Sequence, residues 1–95
     1  MAKNSITITR LSVYPLEGLS NNLVGTASIS IDNAIQVRGI RIYRNERGLY
    51  CLWPGRTSND KFYPSVKPVT EEVRVFIQDA IIAEYNSIMA NRKSE

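Results

Sequence analysis

From Val69 to the last residue the chain contains neither glycine nor proline, whereas all five glycines and all four prolines fall before that point. Those two residues are the strongest interrupters of regular helix. The sequence therefore predicts one long helix, at the C-terminal end, over about residues 70–91. Thr70 is placed to cap its first turn, and Glu71 and Glu72 suit the positive end of the helix dipole. On a helical wheel Val73, Phe76, Ile77, Ala80, Ile81 and Ile88 form one apolar stripe, the expected core face. Val75, Ile82 and Met89, with Tyr85 beside them, form a second apolar row that a single sheet face would not cover. Either a second subunit or the preceding loop could lie on this row; we take it as the expected dimer interface.

Ahead of the helix the apolar residues repeat with the period of strands. In residues 5–14, SITITRLSVY, Ile6 and Ile8 share one phase and Leu11 and Val13 the other, as when a bulge interrupts a strand. Residues 15–22 read as a connecting loop. Residues 23–31 hold Leu23, Gly25, Ala27, Ile29 and Ile31 on one face. Asp32 and Asn33 tolerate positive φ, so strand three, about 34–44, should return antiparallel. A second turn at 45–48 leads to a short strand over 49–53. Residues 54–68, with three prolines, exclude long regular structure and read as a long loop. The expected fold is α+β: a four-stranded antiparallel meander, a long loop and one C-terminal helix, in a single domain spanning 1–95.

Several chemistries are excluded by what the sequence lacks. With no histidine and one cysteine, Cys51, neither a zinc or copper centre of the usual kind nor a histidine-based catalytic triad can be assembled. The glycines have no phosphate-loop spacing. We expect no enzyme, no cofactor, no metal and no small-molecule substrate. Cys51 in LYCLW reads as a small apolar residue, and the lack of a disulfide framework suits a reducing cytoplasm. No stretch approaches the length of a membrane span.

The charge is uneven. Residues 1–69 carry nine Lys or Arg against four Asp or Glu, whereas residues 70–95 carry three against five. Four arginines fall in residues 36–48, QVRGIRIYRNERG. Ile35 and Val37 share one phase of strand three and Ile40 and Ile42 the other, so a one-residue bulge at Arg38-Gly39 would bring both pairs to the buried face. Arg38, Arg41 and Tyr43 then point outward, while Arg44 and Arg47 flank a turn. Guanidinium groups pair with phosphate and tyrosine stacks on unpaired bases, so this surface suits a nucleic acid. An ordinary solvated strand face has a similar composition, and both readings stay open here. Arg56, Lys61 and Lys67 add charge on the long loop, interleaved with Phe62 and Tyr63.

The stretches TASISIDNAIQVRGIRI, GLY, WPGRT and RVFIQDAIIAEY, in that order, resemble the bacterial SpoVG family of septation regulators. The most specific pieces are Ile40-Arg41, Gly48-Leu49, Pro54, Arg56-Thr57, Ile77-Gln78-Asp79-Ala80 and Glu84-Tyr85. The resemblance implies an α+β homodimer that binds DNA, and in some members RNA, and regulates gene expression, cell division and sporulation. It also implies that basic residues in the loop after the fourth strand and at the start of the helix contact nucleic acid, positions held here by Arg56 and Arg74. The family's Lys-Arg-Thr is here Gly55-Arg56-Thr57, and a lysine expected two residues after Arg74 is Phe76. The expected nucleic-acid contacts are Arg41 and Arg56 first, then Arg38 and Arg74, with Lys61 and Lys67 auxiliary. The alternative is a non-catalytic protein-interaction module whose arginines serve solubility.

Overall fold

The computed structural model describes residues 6–16 and 22–93. Six strands and one helix follow in order: β1 (Ile8–Pro15), β2 (Leu23–Ile31), β3 (Ile35–Asn45), β4 (Gly48–Leu52), β5 (Gly55–Ser58), β6 (Lys61–Pro64) and α1 (Glu71–Lys93). Strands β1 to β4 form an antiparallel sheet in sequence order, the expected meander. Ser5, at the start of the predicted first strand, and residues 17–21 of the predicted connecting loop lie outside the described residues.

The phase changes seen in the sequence are bulges. Between Ile8 and Arg10 the β1–β2 register slips by one residue, which brings Ile8, Leu11 and Val13 to one face. Thr9, the extra residue, uses its hydroxyl as a bracket. It donates to the Ser30 carbonyl at 3.3 Å and accepts from the Asn33 amide at 3.0 Å, tying β1 to the β2–β3 turn. In β3 the register steps from Val37, opposite Ile29, to Ile40, opposite Ala27, so Arg38 and Gly39 together face Ser28. Gly39 has φ of 80°, a conformation in which a side chain is strained. The bulge leaves Val37, Ile40 and Ile42 all buried. Ile35, expected with them, is 62% exposed. It is the first residue of β3, beside the turn.

Helix α1 packs across one face of the sheet, against β1 and β4. Val13, Ala27, Ile29, Val37, Ile40 and Ile42 of the sheet meet Ile77, Ile81 and Tyr85 of the helix in one core. The Thr70 side chain accepts from the Val73 amide at 3.3 Å, the expected cap. The buried stripe is turned from the predicted one. Its ridge is Ile77–Ile81–Tyr85, spaced i to i+4, with Val73, Ile88 and Met89 along its sides. Phe76, expected in the core, is instead 38% exposed. Tyr85, expected at a subunit contact, is 3% exposed and serves the chain's own core, while Met89 is half-buried beside that core. Val75 stays exposed and Ile82 half-buried at the outer edge.

Gln78 closes the open side of β4. Its side-chain oxygen accepts a hydrogen bond from the Cys51 amide at 3.1 Å, satisfying a donor that an edge strand would otherwise leave unpaired. Gln78→Ala is expected to destabilise the fold by about 1 kcal/mol, because a partly buried amide loses its acceptor. Urea denaturation would show this as a lowered midpoint with an unchanged slope.

The predicted long loop over 54–68 is not structureless. Strands β5 and β6 pair as a hairpin, with Gly55 opposite Pro64 and Ser58 opposite Lys61. Asn59 and Asp60 have φ of 53° and 65°, the left-handed pair that a two-residue turn requires. Asp32 and Asn33 do the same, at 55° and 53°. The prolines did exclude long strands, but Pro64 at the end of a four-residue strand costs the ladder little.

Candidate functional site

The four strands of the main sheet contain no aspartate or glutamate, and they carry Arg10, Arg38, Arg41 and Arg44. The nearby carboxylates Asp32 and Glu46 sit in the turns. Because Val37, Ile40 and Ile42 face the helix, alternation sends Arg41 and Tyr43 to the opposite face, and both are accessible. Arg38, at the bulge, is exposed as well. Across the sheet Arg41 lies between Thr26 on β2 and Leu52 on β4, and Thr26 in turn faces Tyr14 on β1. Tyr43 faces Tyr50 on β4, and their rings stack at 5.7 Å between centroids, 21° from parallel.

The bulge also meets the hairpin. A Cβ added at Gly39 would lie 4.0 Å from the Cβ of Pro54, the residue before β5. The Ser65 amide donates to the Pro54 carbonyl at 2.8 Å, which closes the hairpin at its base. The hairpin carries Arg56, opposite Tyr63, and Lys61, opposite Ser58, both exposed. Thus Arg38 and Arg41 lie on a strand whose bulge abuts the root of the hairpin holding Arg56 and Lys61. Lys67 lies beyond the hairpin, on the segment leading to the helix.

Arg74 is differently placed. Its Nε–H donates to Glu71 Oε1 at 3.0 Å and its terminal nitrogen donates to Glu71 Oε2, a two-point pairing within the first helical turn. The hydrogen bonds from Arg74 hold the Glu71 carboxyl below the usual carboxylate range and raise the guanidinium's own pKa. A phosphate approaching Arg74 must compete with this carboxylate.

Cys51 is half-buried and its thiol is pushed up to about 11 by burial, which keeps it protonated and unreactive at neutral pH. Among the described residues there is no group of three His, Cys, Asp or Glu that could hold a metal ion. Among the described residues no helix is long and apolar enough to cross a membrane.

A family model described as SpoVG matches residues 6–87. The chain belongs to the SpoVG family. Of three SpoVG relatives named for a provisional role in septation, one from Phytoplasma australiense is 32% identical over 85 residues, 88% of this chain and 88% of its own length. One from the archaeon Archaeoglobus fulgidus is 33% identical over 79 residues, 82% of this chain and 92% of its own. One from Geobacillus thermodenitrificans is 33% identical over 84 residues, 87% and 84% respectively.

Physical roles can now be given to the pieces that carry the SpoVG resemblance. Ile40 is fully buried while Arg41 is turned outward; Gly48 has φ of 127° at the turn into β4. Pro54 packs on the bulge, Gln78 holds the β4 edge, and Ile77 and Tyr85 fill the core. Gly55, where the SpoVG pattern led us to expect lysine, has a local reason. A Cβ there would come within 2.4 Å of the Tyr63 carbonyl oxygen and 2.6 Å of Pro64 Cα. The hairpin closes so tightly here that only glycine fits. Gly55→Ala is expected to open the hairpin, with hydrogen exchange at the Arg56 and Tyr63 amides, a paired position of the ladder, faster by roughly tenfold or more and the four-stranded sheet unaffected.

Sequence reasoning missed two features. Arg10 lies opposite Ser30, in phase with Ser12 and away from Leu11 and Val13, which alternation beyond the bulge could have indicated. The Tyr43–Tyr50 pair follows from the register of the turn at residues 45–48, with Asn45 opposite Gly48.

Proposed function

We propose that this SpoVG-family protein is a homodimeric, non-catalytic regulator that binds DNA or RNA in the cytoplasm and thereby influences gene expression linked to septation and sporulation. The observation that carries the reading is the carboxylate-free sheet: its arginine-bearing third strand abuts, at Gly39 and Pro54, the hairpin that bears Arg56 and Lys61. Guanidinium and ammonium groups grouped with carboxylates confined to the turns, at Asp32, Glu46 and Asp60, form the electrostatic footprint expected for a phosphate backbone. Arg41 and Arg56 are the principal contacts, Arg38 contributes beside them, and Lys61 and Lys67 add charge. Arg74 is a weaker contributor because Glu71 already occupies it. For the dimer, the exposed Val75 and the half-buried Ile82 and Met89 form the contact row, with Tyr85 buried beneath it.

Binding of the wild-type protein to heparin or to random single-stranded DNA should be readily measured at low salt and fall linearly in logarithm with salt concentration. A second reading, a protein-interaction module, is favoured by the exposed Phe62, Tyr63, Val69 and Phe76 along the hairpin and helix entry. Failure of the folded protein to bind either polyanion at low salt would select it.

A further inference from the structure

We propose that the sheet face turned away from the helix is a stacking platform for unpaired nucleic acid, with bases on Tyr43, Tyr50 and Tyr14 and phosphates on Arg10, Arg38 and Arg41. This inference rests on the nucleic-acid reading above and narrows its ligand to single strands.

Three observations support it. First, the aromatic rings lie on an open face. Tyr14 is 57% exposed and Tyr50 38% exposed, and Tyr50 is already stacked on Tyr43. Second, the rows run in register. Tyr14, Thr26, Arg41 and Leu52 form one row across the four strands. Tyr43 and Tyr50 belong to the next row on that face, about 7 Å away along the strands, a spacing close to that between successive phosphates of an extended strand. Third, at the opposite end Arg10, Ser30 and Gln36 form a row of their own and help to line a cleft of about 350 Å³. Cations, hydroxyls and aromatic rings thus alternate over the face without a carboxylate on any of its strands.

The ligand class follows from what such a surface can satisfy. A duplex presents phosphates and base edges but keeps its base faces stacked inside, so a flat sheet would leave these tyrosines without partners. An unpaired strand offers both, and every base has a face to stack. A second copy of the chain is disfavoured as occupant, because self-docking would press together two faces that carry arginines and no carboxylate on their strands.

The test compares four labelled probes of about fifteen nucleotides by fluorescence anisotropy: oligothymidylate, oligouridylate, the oligothymidylate annealed to its complement, and an abasic phosphodiester chain. The wild-type protein should bind the single strands roughly tenfold or more tightly than the duplex or the abasic chain. The ratio of the two single strands separates DNA from RNA as the preferred source. Tyr50→Ala should remove most of the preference for base-bearing over abasic chain while leaving abasic affinity unchanged, and Tyr50→Phe should keep it. Tyr14→Ala gives the same reading from the other edge of the sheet if Tyr50→Ala does not fold. Duplex bound as tightly as single strand, or a base-to-abasic ratio unchanged in both alanine variants, overturns the platform and leaves nucleic-acid binding standing. Binding to none of the four probes overturns both.

Discussion

Insertion of one alanine between Ile40 and Arg41 is expected to abolish cooperative folding, whereas deletion of Gly39 is expected to be a mild change. The insertion leaves Ile40 and Ile42 an odd number of places apart, so they no longer face the same side of β3. A one-residue slip turns every side chain beyond it to the opposite face. Either Ile40 goes out to solvent, or Ile42 does. Both are 0% exposed, and emptying one such site costs about 2–5 kcal/mol. The slip that turns Ile42 outward also brings Arg41 toward the core, a buried charge without a partner. Against a total stability of roughly 5–15 kcal/mol, the two losses together are close to unfolding. Deletion of Gly39 removes the bulge and leaves Val37, Ile40 and Ile42 at alternate places, so a regular strand keeps all three on the buried face with Arg38 opposite Ser28. Urea denaturation followed by circular dichroism distinguishes them. An insertion variant with a sharp transition within about 1 kcal/mol of the parent would show that the buried face does not set the register of this strand.

The Arg41→Ala plus Arg56→Ala double variant is expected to bind nucleic acid about a hundredfold more weakly at low salt, with the logarithmic salt slope reduced by about two units. Each charge-assisted contact contributes about 1.5 kcal/mol and each phosphate neutralised adds about one unit of slope. The fold should be unaffected, since both side chains are exposed and neither fills a core position. Measuring affinity at several salt concentrations, with a denaturation curve on the same preparation, separates the two effects. Affinity and slope equal to those of the parent would remove Arg41 and Arg56 from the interface. Reduced affinity with an unchanged slope would point to a contact other than phosphate.

The strands and the helix were legible because their signals are local. Period-two alternation, the Asp32-Asn33 turn and the Gly- and Pro-free C-terminal run each depend on residues close in sequence, and even the bulges announced themselves as changes of phase. The β5–β6 hairpin was missed because three prolines outweighed a two-residue turn signal at Asn59-Asp60, although Pro64 falls at a strand end and Pro54 precedes the hairpin. The helix's buried stripe was misplaced in part because a wheel gives the apolar arc but not its angle to the sheet. Packing centred that arc on Ile77, Ile81 and Tyr85, leaving Phe76 outside.

The site divides the same way. That Arg38 and Arg41 leave the core face follows from sequence alone, since a strand's side chains alternate and the Ile and Val positions claim the other side. The sequence also determined that no site on this chain is built with a histidine of its own. Only the tertiary structure decided which cations share a neighbourhood. It set Pro54 against Gly39, tied Arg74 to Glu71 and brought Tyr43 over Tyr50. Those relations depend on register and on the closing of a hairpin, contacts between residues distant along the chain, and a periodic pattern carries information about the side of an element but none about what lies across from it.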